Sequence, residues 1–427
     1  MTTAPFDPIT FQVLWSRLIS IADEVSATLV KTAFSHVVRD NHDYSIGLYD
    51  AAGRMPAQST QCTPGQIGAM PKVMKDFLKR YPADTLAPGD ILITNDPWFG
   101  SGHTPDVFVA APAFRGTRLV GFAVNSAHHI DFGGRLSAPD ARDVYEEGLI
   151  IPIMKLYAAG QPNTDLFDMI ARNVRMPDKV IGDLRAQIAA NWVGTRRLVE
   201  LMDERGLEDL TGLTGQILDH TEAAMRAAIA EAPDGVYRHE VTLERPDPDG
   251  KPIRIVARVE IAGDSVHVDF TGTTEQVALP INAVTNITYA YTVFPIKCAL
   301  HPHIPANEGC FRPVRMTVPE GTCLNPRFPA AVRFRTSLVY YVVEAIFGAL
   351  AQAIPSKVMA PSGTYPLWLA NLAGQFDDGS PFVMHFNAQG GTGARRDRDG
   401  VSTLVFPPNV ASTPVELLEV EAPLLCE

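Results

Sequence analysis

Two apolar runs in the N-terminal half of the chain are separated by a short polar segment. Residues 107–114 and 119–124 are each long enough for a buried strand, and Arg115-Gly116 between them is typical of a turn. The two runs therefore predict a β-hairpin. Because the strands of a hairpin are antiparallel, the start of the first strand lies beside the end of the second. Side chains that flank the hairpin at this edge are thus brought together.

Histidines and carboxylates flank the predicted hairpin at this edge. His103 and Asp106 precede the first strand, and His128 and His129 follow the second. Two imidazoles with one or two carboxylates suit a borderline divalent ion such as Zn²⁺, Mn²⁺ or Fe²⁺. Asp43, which precedes another predicted strand, could add an oxygen ligand. The spacing therefore predicts a divalent metal site, whose open coordination position would lower the pKa of a bound water.

Further residues are candidates for acid–base chemistry beside such a site. The histidine that does not bind the metal, for example His129, could orient a ligand or act as a general base, and Glu146 and Glu147 are weaker candidates for the base. The structural alternative is that each histidine is a buried residue satisfied by a hydrogen bond. Two His–Asp groups that flank one hairpin on the same side are less easily explained in that way.

The rest of the chain mixes helical and strand-like patterns, which predicts a mixed α/β (α+β) fold. Helices are predicted at residues 9–34, 70–81, 285–300 and 336–354, and further strands at residues 44–49, 91–94 and 236–271. The composition changes near Pro233. We therefore expect an N-terminal metal-bearing domain, residues 1–232, with a helical segment at 165–230. A C-terminal α+β domain, residues 233–427, would follow.

Composition and charge exclude several classes of partner. Lys and Arg number 36 against 48 Asp and Glu, a net charge of −12, which disfavours binding to nucleic acid or to anionic membrane surfaces. No apolar run reaches the roughly 18 residues that a membrane helix needs. The five cysteines are widely spaced, with no C-x-x-C pair. This pattern predicts a cytoplasmic protein with reduced thiols.

Several motifs together resemble the hydantoinase B/oxoprolinase family over nearly the whole chain. The clearest are Asp43-Tyr-Ser-Ile-Gly-Leu-Tyr-Asp50, His103-Thr-Pro-Asp-Val107 and His128-His-Ile-Asp-Phe-Gly-Gly134. The family includes the B-type subunits of ATP-dependent N-methylhydantoinases and lactamases, and the metal-bearing subunit of acetone and acetophenone carboxylases. Carried over by motif, the resemblance implies that Asp43, His103, Asp106 and His128 are the metal ligands.

The resemblance also implies a partner and a reaction. A hydantoinase A-type subunit of the actin-like ATPase class would bind ATP and phosphorylate the substrate, and metal-activated water would then open a cyclic amide. The first alternative is the metal-bearing subunit of an ATP-dependent ketone carboxylase. The second is a scaffold subunit without chemistry of its own.

The chain departs from the family pattern at three places. Gln66 stands where many relatives have histidine, and Arg333-Phe-Arg335 replaces a segment that is usually smaller. The first departure argues against an additional histidine at the site, and the second is expected to alter the fit of the substrate. Family members also usually extend beyond residue 427, so the sequence is expected to be a truncated form or to be completed by a separately encoded segment.

Overall fold

The first helix, α1 (Pro8–Thr32), forms where its apolar spacing predicts it. The side-chain oxygen Oδ1 of Asp7 accepts hydrogen bonds from the backbone N–H groups of Ile9 at 3.0 Å and Thr10 at 3.1 Å. These bonds satisfy two donors that the first helical turn leaves free, and Pro8 occupies a position where no N–H is needed. The predicted helix at residues 9–34 is confirmed.

The structure is a computed structural model that describes residues 5–136, 138–244, 250–363 and 368–426. The helices that follow α1 are α2 (His36–Arg39), α3 (Pro64–Arg80), α4 (Thr164–Asn173), α5 (Pro177–Arg205), α6 (Thr211–Ala230), α7 (Thr285–Leu300), α8 (Glu308–Phe311), α9 (Thr336–Leu350) and α10 (Val415–Glu421). The strands are β1 (Tyr44–Asp50), β2 (Ala57–Gln58), β3 (Ile91–Thr94), β4 (Asp106–Arg115), β5 (Arg118–His128), β6 (Met154–Ala158), β7 (Gln161–Pro162), β8 (Gly235–Leu243), β9 (Ile253–Ala262), β10 (Ser265–Asp269), β11 (Val314–Thr317), β12 (Trp368–Gln375) and β13 (Pro381–Ala388).

A seven-stranded antiparallel sheet forms the frame of the N-terminal half. Its strand order is β2-β1-β5-β4-β3-β6-β7, so the hairpin β4–β5 lies at its centre. The predicted hairpin is confirmed, with strands slightly longer than the apolar runs. Helices α1 and α5 pack against the sheet, and α5 contacts both strands of the hairpin. The hairpin is therefore fixed by neighbours on both edges and by a helix on one face.

Two smaller sheets belong to the C-terminal half. The first has the order β11-β10-β9-β8, in which β10 and β11 are parallel and the other pairs are antiparallel. Helix α9 packs against β8 and β9. The second is the two-stranded hairpin β12–β13. The mixed α/β fold class is confirmed.

Helix boundaries differ from the sequence predictions where packing overrides propensity. Helix α3 starts at Pro64, six residues before the predicted start, although Gly65, Gly68 and Pro71 are poor helix formers. A Cβ atom at Gly68 would lie 2.6 Å from the Ala290 Cβ atom. The glycine therefore allows α3 to approach α7 closely, and this contact compensates for its low propensity.

One buried apolar cluster spans both halves of the chain. It includes Leu18 of α1, Ile255 of β9, Ile296 of α7 and Val342 of α9. Residues on both sides of Pro233 therefore share this core, and the division into domains at that position stays a prediction. Among the described helices, none combines the length and the apolar character needed to cross a membrane.

Candidate metal centre

His103, Asp106 and His128 meet at the edge of the central hairpin. Asp106, the first residue of β4, lies directly opposite His128, the last residue of β5, and His103 lies on the loop just before β4. One ligand atom from each side chain lies within 4.8 Å of the others, and all three residues are buried. The three side chains therefore lie together, as the antiparallel pairing of the predicted hairpin implies.

The loop before β4 turns His103 toward the carboxylate. Gly102 adopts φ +88°, and a Cβ atom there would lie 2.7 Å from the Cδ atom of Arg335, so a glycine is required at this position. The Nδ1 atom of His103 lies 3.2 Å from the Arg333 carbonyl oxygen and 2.9 Å from Arg335 Nη1. Arg335 only donates, so its contact is made to a lone pair on Nδ1. A metal bound at Nε2 would instead require the proton on Nδ1, which would donate to the Arg333 carbonyl oxygen in place of the Arg335 contact.

Asp106 is an ionised carboxylate despite its burial. Its Oδ2 atom accepts hydrogen bonds from Ser101 Oγ and from Arg335 Nη2, the latter at 2.8 Å. Burial alone would raise the pKa of Asp106, but the buried cation of Arg335 holds that pKa below its ordinary range. A negative oxygen is therefore available beside the two imidazoles.

Asp43 joins this group through Gln66. The Nε2 atom of Gln66 donates to Asp43 Oδ1 at 3.0 Å and to Asp106 Oδ1 at 3.1 Å. Burial, followed by the charge of Asp106, raises the pKa of Asp43 to about 8. In the absence of a cation, Asp43 therefore carries a proton at neutral pH, and a divalent ion would favour the loss of that proton.

The donor set fits a divalent metal. Burial lowers the pKa of His103 to about 4, and burial with His385 and His103 nearby lowers the pKa of His128 well below its usual value. Both imidazoles are therefore neutral, as metal ligands must be. Among the described residues, His103 Nε2 and His128 Nδ1 have no hydrogen-bond partner. His103 Nε2 lies only 3.0 Å from Asp106 Oδ2 but is not aligned for a hydrogen bond with it.

His129 lies outside this group. Side chains alternate along β5 and beyond its end, so His129 points away from His128. Its Nε2 atom lies 2.9 Å from Gln187 Oε1 on α5, and its ring packs edge-on against Phe132. The structure does not bring His129 to His103, Asp106 and His128, and its assignment as a general base stays a prediction.

Glu147 also lies apart from His103, Asp106 and His128, in a loop beside this group. Its Oε1 atom accepts hydrogen bonds from the backbone N–H groups of Val332 at 2.6 Å and Arg333 at 2.8 Å. Its Oε2 atom is buried without a partner among the described residues. Glu147 therefore holds the segment whose Arg333 carbonyl oxygen lies beside His103, and its assignment as a base stays a prediction.

The buried position of Glu147 predicts a pH-dependent stability. Burial raises the pKa of Glu147 to about 7 from 4.5, so the folded chain holds this proton more tightly than the unfolded chain. The contribution is complete below pH 4.5 and disappears as the pH rises through 7, a loss of about 3 kcal/mol in the free energy of unfolding. Between pH 5 and pH 8, denaturant titrations should show a loss that is about 2–3 kcal/mol larger in the wild type than in Glu147→Gln, since the raised pKa of Asp43 lowers the stability of both proteins over this range. The exposed Glu416→Gln serves as control, and equal pH dependence in all three proteins would contradict the prediction.

Residues distant in sequence complete a small cavity around the ligands. The cavity has a volume of about 70 Å³ and is lined by Asp43, Gln66, His103, Asp106 and His128. Arg333, Arg335, Asn371 and His385 also line it. Sequence reasoning noted Arg333 and Arg335 only as departures from the family, and it missed Asn371 and His385. Neither of these two residues lies in a motif, and only the fold brings them here.

Gln66 is expected to support metal binding without being a ligand. Replacing it with leucine removes the donor that aligns Asp43 with Asp106, and leaves two buried carboxyl groups facing each other. The affinity for Zn²⁺ should fall about 10- to 100-fold, a range typical of residues that orient ligands. Competition with a chelating dye measures this affinity. Gln61→Leu, at a residue whose amide bonds the Asn409 carbonyl instead, is the matched control. Equal affinity in both variants would contradict the role of Gln66.

Comparison with known protein families gives a match over almost the whole chain. A family model described as hydantoinase B/oxoprolinase matches residues 7–427. The putative B-type subunit of a D-/L-hydantoinase from Pseudomonas sp. (strain NS671) is 32% identical over 436 aligned positions, which cover 98% of this chain and 73% of that protein.

Two solved structures share the fold. The ATP-dependent caprolactamase from Pseudomonas jessenii matches with a TM-score of 0.89 and 32% identity, covering 98% of this chain and 74% of that one. An acetone carboxylase in its nucleotide-free form matches with a TM-score of 0.89 and 21% identity, covering 98% of this chain and 58% of that one. At this lower identity the likeness concerns the fold alone. The chain thus spans between 58% and 74% of these two solved chains.

Proposed function

Because the chain belongs to the hydantoinase B/oxoprolinase family, we propose that it is the B-type subunit of an ATP-dependent cyclic-amide hydrolase. In this proposal Asp43, His103, Asp106 and His128 hold a divalent metal, either Mn, Zn or Fe. The relatives named as a hydantoinase subunit and as an ATP-dependent caprolactamase support this class of reaction.

The observation that carries the proposal is the buried group of two neutral imidazoles and one ionised carboxylate within 4.8 Å. A bound divalent ion would supply a water of lowered pKa and would polarise an amide carbonyl. Asp43, once deprotonated, would add a second carboxylate to the set.

The surrounding residues fix the positions of the ligand atoms, although the cation of Arg335 competes with a bound ion for the Asp106 carboxylate. Arg335 and Gln66 hold the Asp106 carboxylate in place at 2.8 Å and 3.1 Å, so its oxygens do not rotate away from the imidazoles. The Arg333 carbonyl fixes the ring of His103. Burial excludes bulk water, which strengthens every electrostatic interaction in the cavity.

ATP is assigned to a partner subunit. In the proposal, an A-type subunit of the actin-like ATPase class binds ATP and phosphorylates the amide oxygen. Phosphorylation makes the amide carbon electrophilic and turns a poor leaving oxygen into a good one. The naming of relatives as subunits supports the existence of such a partner.

The test is to purify the chain together with an A-type partner and supply ATP with cyclic amides, namely a hydantoin, 5-oxoproline and caprolactam. The expected result is ring opening coupled to phosphate release, which stops when a chelator removes the metal. Metal-independent ring opening, or no ring opening of any cyclic amide by a metal-loaded complex, would contradict the proposal. Loss of a ketone that depends on bicarbonate would instead support the carboxylase alternative.

A further inference from the structure

A third histidine enters the cavity from the C-terminal half of the chain. His385 lies on β13, and its ring centroid is 5.0 Å from that of His128. It lines the same cavity as His103 and Asp106, although about 260 residues separate it from His128 in the sequence. The hairpin β12–β13 thus adds an imidazole to a site otherwise built on the central sheet.

The hairpin also fixes the orientation of this imidazole. Asn371 on β12 is the cross-strand partner of His385, and Asn371 Oδ1 lies 2.7 Å from His385 Nδ1. An amide oxygen only accepts, so Nδ1 donates the proton and Nε2 keeps its lone pair. The His385 carbonyl oxygen lies 3.4 Å from His36 Nε2, which anchors the strand at this point.

His385 stands beside the proposed metal ligands rather than among them. The group whose ligand atoms lie within 4.8 Å of one another comprises His103, Asp106 and His128. The rings of His385 and His128 are tilted by 40° and face a cavity of about 70 Å³. This volume admits one or two waters beside His385.

The contact with Asn371 leaves Nε2 as the acceptor atom of the His385 ring. The nearby groups that carry charge are Asp106 and the two arginines, Arg333 and Arg335, and the arginines have no lone pairs to offer a water.

Resting on the hydrolysis proposed above, we propose that His385, oriented by Asn371, accepts a hydrogen bond from the attacking water and aims its oxygen at the amide carbon. His385 is then a catalytic residue of the hydrolysis, and Asn371 is a positioning residue that acts through it. Nothing in the sequence motifs assigns a role to either residue.

The experiment compares His385→Phe, which keeps the ring volume without an acceptor, with His385→Gln, which retains one. Both variants are purified with the A-type partner. We measure kcat and KM for the amide, the Zn²⁺ content and the visible spectrum of the Co²⁺-loaded protein. The expected result is a fall in kcat of about 100-fold for His385→Phe and a smaller fall for His385→Gln, with KM nearly constant. The metal content should stay near one ion per chain, with unchanged Co²⁺ bands. The exposed His303→Gln is the control.

Each other outcome contradicts a defined part of the proposal. An unchanged kcat in His385→Phe would overturn the role of His385. Loss of metal or altered Co²⁺ bands would show that His385 is a ligand and would also overturn that role. A wild-type complex that binds metal but opens no cyclic amide would overturn the proposed function, and this role with it.

A second variant separates orientation from folding. Asn371→Ala leaves the imidazole in place but removes the acceptor for Nδ1, so the ring is free to exchange tautomers. A long-range ¹H–¹⁵N spectrum of histidine-labelled protein should show His385 protonated on Nδ1 in the wild type and mixed protonation in Asn371→Ala, with kcat reduced about 10-fold. A wild-type ring protonated on Nε2 would contradict the proposal, because no lone pair would then face the water.

Discussion

Replacing His128 with alanine is expected to lower the metal content of the purified chain from about one ion to below about one tenth, and to lower ATP-dependent ring opening at least ~1,000-fold. His128 supplies one of the two neutral nitrogens of the ligand group, and it lies directly opposite Asp106 in the sheet. The remaining donors would be one imidazole and the carboxylates, and this set binds a borderline ion such as Zn²⁺ only weakly.

The measurement is metal analysis by mass spectrometry after dialysis, together with phosphate release by the complex. The matched control is His267→Ala on β10, where the imidazole contacts Thr317 on the neighbouring strand at 2.8 Å. Circular dichroism should show that both variants fold. A folded His128→Ala variant that keeps its metal and its activity would contradict the assignment of this histidine.

Replacing Arg335 with methionine is expected to lower the free energy of unfolding of the metal-free chain by about 3–5 kcal/mol. The guanidinium is almost fully buried, with 5% of the side chain exposed, and Nη2 lies 2.8 Å from Asp106 Oδ2. Its Nε atom donates to the Ser101 carbonyl oxygen. Methionine fills much of the same space but leaves the Asp106 carboxylate buried without its cation.

Denaturant unfolding with and without Zn²⁺ measures this effect. Bound Zn²⁺ should make the loss of stability in Arg335→Met smaller, because the ion supplies positive charge to the same carboxylate. By the reciprocity of linked equilibria, the affinity of Arg335→Met for Zn²⁺ should exceed that of the wild type by the same free energy. The control is Arg327→Met, whose ion pair with Glu320 is exposed, and it should change stability by less than about 1 kcal/mol. A loss in Arg335→Met no larger than in this control would contradict the role of the buried pair.

The sequence was sufficient to predict the centre of the site because the relevant geometry is local. Two apolar runs and a turn define the hairpin, and antiparallel pairing then places His103 and Asp106 beside the end of the second strand. The alternation of side chains along a strand also implies that His128 and His129 point to opposite sides. Which of the two faces the carboxylate depends on the register, and the family motif, not the spacing, identified His128.

The rest of the site could not be predicted because its residues come together only through tertiary packing. Arg335 reaches Asp106 from the start of α9, 229 positions away, through a space that Gly102 leaves open. His385 arrives on a separate hairpin whose pattern carries no chemical signature. Glu147 was predicted as a base from its position in the chain, but the backbone N–H groups of Val332 and Arg333 bind its carboxylate.

The most direct test of the metal centre is anomalous X-ray scattering at the absorption edge of the metal, measured on crystals of the reconstituted chain. The account predicts one anomalous peak about 2.0–2.3 Å from a nitrogen of His103, a nitrogen of His128 and an oxygen of Asp106. Crystals grown with stoichiometric metal that show no such peak, or show it bound by other side chains, would contradict the account.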